Sequence, residues 1–286
     1  MPPLEPSTHM HWCDNLMTSI PMIPFLRIAI SLTLLYNVSA RVDANSYPWQ
    51  AATVQGNEIG VLVLCPGMNQ DGSFFLQESP WVEFATQHQL GILSISFKSD
   101  PAKMYGQNRQ GYYWPEQGSG EVLIDAIRTT YGTELPILIY GYSGGAQFAS
   151  RFVEWIPQRV TAWAAYSAQF WDAPRDNSQA PPGIVACGDL DGSRWHPSFS
   201  YFYRGRTLTK NWAWVSIRNT GHVRNRPFEE FVRSFFATVQ TQPPQQVYID
   251  VETEEIVSLS QSIHQELLAV LPSHRLVNQW RAVHAQ

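Results

Sequence analysis

Basic residues are few and scattered. Lysine and arginine number 19 against 24 aspartates and glutamates, a formal net charge of -5, and no Lys/Arg-rich run occurs. The electrostatic footprint of a nucleic-acid binder is therefore missing, and no nucleic-acid partner is expected. Long apolar runs are missing too. The most apolar stretch, Ile28 to Tyr36, spans only ~14 Å as a helix, less than half of the ~30 Å bilayer core, so no stable membrane insertion is expected. There is no metal-ligand spacing, phosphate loop or dinucleotide fingerprint, so no cofactor and no metal is implied. Internal repeats and low-complexity tracts are absent. Cysteine is scarce, three residues in all, and leaves the redox compartment open.

What is present is a large apolar complement. Of 286 residues 44% are hydrophobic and 15% charged, enough to bury one sizeable core. The 11 tryptophans suit such a core or a pocket for flat, apolar ligands. The first 44 residues differ from the rest. Arg27 precedes the apolar stretch, and small residues follow at Val38-Ser39-Ala40 and Val42-Asp43-Ala44. That is the layout of a secretory signal peptide, with the start at Met17 or Met22. Residues 1–44 are therefore expected to be removed and the protein exported, to a periplasm or the medium. Cys13 leaves with them. Cys65 and Cys187 could pair only if the fold brought their Cα atoms within ~7 Å.

From residue 45 to 240 short apolar runs alternate with longer amphipathic ones. Gly60–Cys65, Gly91–Phe97, Pro136–Tyr140, Thr161–Tyr166, Gly183–Cys187 and Trp212–Ile217 read as strands. Several are apolar almost throughout, as strands buried on both faces are. Glu121–Tyr131, Ala146–Ile156 and Pro227–Val239 read as helices. The last gathers Phe228, Phe231, Val232, Phe235 and Phe236 on one face, and Pro227 suits its first turn. This alternation predicts an α/β fold, a mostly parallel twisted sheet with helices on both faces. Residues 241–286 open with a linker-like "TQPPQQ" and a strand-like "QVYIDVE". Beyond them Ile263, Leu267, Val270 and Leu271 make an amphipathic stripe that Pro272 interrupts, read as a C-terminal helical extension packing on the domain.

The chemistry starts at residues 141–145, Gly-Tyr-Ser-Gly-Gly, a G-x-S-x-G pentapeptide between a strand and a helix. On so sharp a turn the serine backbone is strained, and the flanking glycines relieve the crowding. The Ser143 hydroxyl then stands at the carboxyl end of the sheet, and the Gly144 N–H faces a developing oxyanion. A serine hydroxyl is a weak nucleophile near neutral pH and needs a histidine base, itself oriented by a carboxylate. In chain order, an acid and then a histidine should each follow a later strand. "GDLDGSRW" follows Gly183–Cys187, and "RNTGHVRN" follows Trp212–Ile217, which makes His222 the candidate base. Asp191 and Asp189 compete as the acid. Asp191 is better placed on its loop to reach the histidine, and Asp189 to brace the turn. A second oxyanion donor is available in the Met68 N–H, after Pro66-Gly67.

Together with Pro66-Gly67-Met68, Gly188 to Asp191 and Gly221-His222, the pentapeptide resembles the α/β-hydrolase fold over roughly residues 50–240. "GYSGGAQFASRF" and the absence of a large cap are most similar to the polyhydroxybutyrate depolymerase, feruloyl esterase and dienelactone hydrolase-like members. The resemblance implies a serine esterase with Ser143 as nucleophile, Asp191 as acid, His222 as base, and Met68 and Gly144 as oxyanion donors. Many relatives have His-Gly where this chain has Pro66-Gly67, but the donor is a backbone N–H. The implied sheet order puts two strands between those ending at Cys65 and Cys187, so two free, buried thiols are expected. The connection from Gln169 to Pro182, 14 residues, is too short for a lid domain. That leaves an open site suited to bulky, aryl or polymeric esters, and such an ester is the partner expected. Tyr142, Trp114, Trp171 and Trp195 fall on loops expected near the site and are the candidate substrate contacts. An amide or peptide cut by the same residues, or a non-catalytic binding role, is the alternative.

Overall fold

A computed structural model describes residues 49–52, 56–96, 111–169, 171–177, 180–243, 245–260, 262 and 264–284. The signal-like segment 1–44, Cys13 within it, lies outside the described residues, as do Phe97, Phe170 and Ile263.

Strands β2 (Gly60–Cys65), β4 (Ile137–Tyr142) and β6 (Gly183–Gly188) are buried at every position. Only a strand covered on both faces needs such unbroken apolar runs. With β1 (Trp49–Ala52), β3 (Leu90–Ile95), β5 (Val160–Tyr166) and β7 (Trp212–Ile217) they form one sheet in the order β1-β3-β2-β4-β5-β6-β7. β1 runs antiparallel to β3, and all the other pairs are parallel. This is the mostly parallel sheet expected, with one antiparallel strand added at its edge.

Helices cover both faces. On one lie α1 (Ser79–Gln87) and, further along the chain, the helix Arg226–Thr241, here α5. Trp81 stacks on Tyr140 of β4 at 5.3 Å, and Phe228 lies 6.4 Å from the same ring. Trp163, whose neighbour Ala164 pairs with Tyr140, points the opposite way. There it meets Tyr201, 6.4 Å away, on the helix Gly192–Thr207, α4. Successive right-handed crossovers keep α3 (Gly144–Trp155) on that face with α4. The bare Gly120 of α2 (Ser119–Tyr131) makes room there for the Trp155 ring. β4 and β5 separate β2 from β6, and Cys65 and Cys187 are free and buried.

The C-terminal stripe turns out differently. Val270 and Leu271 belong to a strand, β10 (Leu268–Leu271), paired antiparallel with β8 (Val247–Asp250), which also pairs with β9 (Ile256–Val257). Four consecutive apolar residues, all buried, fit a strand as well as a helix, and periodicity alone does not separate the two. The extension is helical only in α6 (Val277–His284). That helix closes the edge of β7. Trp280 donates its indole N–H to the Trp214 carbonyl at 2.8 Å, and the Ser216 N–H donates to His284 Nδ1 at 3.1 Å. Buried Arg206 of α4 donates to the carbonyls of Leu268 at 2.7 Å and Gln265 at 3.4 Å, fastening β10 and the turn before it to α4.

Candidate active site

β4 ends at Tyr142 and α3 begins at Gly144, so Ser143 alone makes the turn. Its φ of 55° and ψ of -118° form a backbone conformation that side chains rarely adopt, one that stores about 1–3 kcal/mol. Glycines permit it. A Cβ on Gly141 would strike the backbone of Gly145, and one on Gly145 the carbonyls of Cys65 and Pro66. One on Gly144 would strike the Tyr112 hydroxyl and come within 2.8 Å of the Met68 nitrogen. The turn after β2 and the start of α3 are thus packed backbone against backbone. The Ser143 N–H donates to the Tyr166 carbonyl at 2.8 Å. Its hydroxyl does not cap α3, although serine is among the favoured caps.

That hydroxyl is turned elsewhere. Ser143 Oγ lies 2.9 Å from His222 Nε2, and His222 Nδ1 lies 2.8 Å from Asp191 Oδ2. A carboxylate at Nδ1 holds the proton there, which leaves Nε2 as the acceptor facing the hydroxyl. Asp191 directly precedes α4, and like Ser143 it withholds its side chain from the helix it begins. Elsewhere such residues do cap: Asn225 accepts the Phe228 N–H of α5, and Asp71 and Ser273 cap 3-10 turns. Asp191 is 4% exposed, and its second oxygen, Oδ1, accepts from Arg194 Nη1 at 3.0 Å. Asp189 points away and accepts the Thr220 N–H at 3.2 Å, tying the turn after β6 to the loop after β7.

Three consecutive residues of the histidine loop are anchored. The Tyr142 hydroxyl donates to the His222 carbonyl at 3.0 Å while its ring stacks on the imidazole, centroids 5.3 Å apart. The Tyr166 hydroxyl donates to the Val223 carbonyl at 2.8 Å. Arg224 donates to Glu78 at 2.7 and 2.8 Å and to buried Glu229 at 2.7 and 2.8 Å. Burial, reinforced by the charge of Asp191, pushes the Tyr142 hydroxyl up to about 12. Burial does the same to the Cys187 thiol, also up to about 12, which lies 3.9 Å from Asp191 Oδ2. Both stay neutral near pH 7. Sequence reasoning missed Arg194 and Arg224. The available signal was position: an arginine three residues after the acid, on the first turn of a helix, and another two residues after the histidine.

The other aromatic candidates have packing partners of their own. Arg151 lies over the Trp114 ring at 4.1 Å, and the two line a cavity of about 100 Å³ with Asp172 and Tyr201. Trp171 stacks on Tyr201 at 4.3 Å and donates to Ser198 Oγ at 3.2 Å. Trp195 sits on α4 rather than on a loop, its ring against Phe199 at 5.4 Å and its N–H on Ser216 Oγ at 2.8 Å. Three large apolar residues on the loops that carry the site remain in solvent: Met68 after β2, Leu190 after β6 and Val223 after β7, 41%, 65% and 58% exposed. Among the described residues no group of His, Cys, Asp and Glu could hold a metal ion.

No protein-family model matches the chain, and no curated protein matches it. Solved structures do. A substrate-bound, fluorophosphonate-binding serine hydrolase of Staphylococcus aureus aligns with a TM-score of 0.53 at 12% identity, over 72% of this chain and 97% of that one. A ferulic acid esterase aligns with a TM-score of 0.51 at 13% identity, over 72% and 95%. A hyperthermophilic esterase from the archaeon Pyrobaculum calidifontis aligns with 0.50 at 11% identity, over 73% and 86%. At such identities the likeness is one of fold, and the chain has the α/β-hydrolase fold.

Proposed function

We propose that the protein is a serine hydrolase that cleaves carboxylic esters through an acyl-enzyme. One observation carries this: the hydrogen-bonded row from Ser143 Oγ through His222 to Asp191, at 2.9 and 2.8 Å. Neutral His222 takes the Ser143 proton as Oγ attacks the ester carbonyl carbon. Asp191 stabilises the imidazolium that forms. The N–H groups of Gly144 and Met68 receive the negative charge on the carbonyl oxygen, a donor of this kind being worth about 3 kcal/mol. When the C–O bond to the leaving alcohol breaks, His222 returns the proton to that oxygen. A water deprotonated by His222 then attacks the acyl group, releasing the acid and restoring Ser143.

Bulky, aryl or polymeric esters are the substrate class assigned. Exposed Met68, Leu190 and Val223 support this, because apolar side chains on the loops that carry a reacting centre favour an apolar substrate face. Export belongs to the same proposal and rests on the signal-like segment 1–44. A fluorophosphonate probe is expected to label Ser143 in the native protein, and Ser143→Ala to abolish both labelling and ester turnover. An unlabelled wild type, or labelling that survives the substitution, overturns the assignment. Matched ester and amide substrates decide the bond: turnover of the amide as fast as the ester moves the enzyme to the amidases.

A further inference from the structure

We propose that Arg194 is a positioning residue that sets the acid limit of this site. Its fixed positive charge on Asp191 keeps His222 unprotonated, and so ready to act as a base, to lower pH than the serine–histidine–aspartate row would reach alone. This deepens the serine hydrolase reading and rests on it.

Asp191 has two oxygens and two partners. Oδ2 faces His222 Nδ1 at 2.8 Å, and Oδ1 accepts from Arg194 Nη1 at 3.0 Å. A buried carboxylate beside an imidazole favours the imidazolium, because opposite charges a few ångströms apart attract. A guanidinium on the far oxygen works against that, offsetting the carboxylate and repelling a second positive charge on the ring. Arginine keeps its charge at any pH the protein meets. Arg194 is also held in place. It rises from the first turn of α4, three residues after Asp191, with its side chain 25% exposed. The carboxylate that would ordinarily cap that turn is given instead to Arg194 and His222.

Other groups face the pair from every side. The Cys187 thiol approaches from β6, the Tyr142 ring from β4, and the Tyr166 hydroxyl from β5 onto the neighbouring Val223 carbonyl. Burial raises all three above their ordinary ranges and keeps them neutral. Arg224, on the histidine loop, is engaged by Glu78 and Glu229. Asp189, on the acid's own loop, is turned to the Thr220 N–H. Among the described residues, Arg194 is therefore the fixed charge bonded directly to the acid–imidazole pair.

The test is the pH profile of fluorophosphonate labelling at Ser143, which needs no knowledge of the natural ester. Labelling removes the Ser143 proton through His222, so its acid limb reports when the imidazole is free to act. In Arg194→Gln and Arg194→Met the limb should move up by about 0.5–1 pH unit, with the alkaline plateau within about threefold of wild type. Arg194→Lys, which keeps the charge, should restore the limb. A plateau that falls while the limb stays fixed assigns Arg194 to packing and overturns the proposal, as does a limb that moves down. Loss of the fold in both uncharged variants does so too. A wild type unlabelled at Ser143 removes the serine hydrolase reading itself, before Arg194 comes into question.

Discussion

Two aspartates stand two residues apart on one turn, and the structure sends them to different partners. Asp191 meets His222 at 2.8 Å, while Asp189 braces the Thr220 N–H at 3.2 Å. Asp191→Asn should therefore cut the rate of ester turnover by about 10³–10⁴-fold, the scale at which a mis-set imidazole tautomer impairs a triad. Asp189→Asn, still able to accept the Thr220 bond, should stay within about threefold. Equal losses in both, measured as kcat/KM on one ester, would contradict this division. Much of this was legible in the chain, because Ser143, Asp191 and His222 each need only a strand end and a turn to hold them. Arg194 was legible only as an arginine three residues after the acid; its part depends on where the second carboxylate oxygen points, which is a tertiary fact. Trp195 was misread as a loop ring because Pro197 and Gly205 broke up the pattern of the helix that carries it.

At the scale of elements, the instructive piece is α6 against β7. An edge strand presents unpaired backbone groups, and here Trp280 and His284 take two of them. His284 is 8% exposed, and burial pulls its imidazole below the ordinary range, so the fold favours the neutral ring that can accept the Ser216 N–H. The unfolded chain binds that proton more readily than the folded one. The associated stability is present in full above the unfolded value near 6.5 and is lost as pH falls through it toward the lower folded value, at up to about 1.4 kcal/mol per pH unit. Urea unfolding of wild type and His284→Gln should thus diverge above pH 7 and converge toward pH 5. Parallel curves would remove His284 from the account. The main strands and α5 were legible because burial on both faces, or a stripe of five apolar side chains, leaves one solution. The C-terminal stripe was not, because "LAVL" is too short for its period to be read.

For the whole molecule, the strand order has a redox corollary. Two strands lie between β2 and β6, so Cys65 and Cys187 stand about three strand spacings, ~14 Å, apart. Burial raises both thiols well above their ordinary value, and the thiolate is the reactive form. Neither should react with a thiol reagent until the protein is unfolded, and a reductant should leave the thermal midpoint unchanged. Rapid modification of either residue in the native protein would contradict the packing. A different consequence follows from the two uncapped helix starts. Ser143 and Asp191 both spend their side chains on His222 and leave the starts of α3 and α4 uncapped. The helix ends that carry the site are therefore fastened across the molecule, to the loop after β7, rather than each to its own first turn.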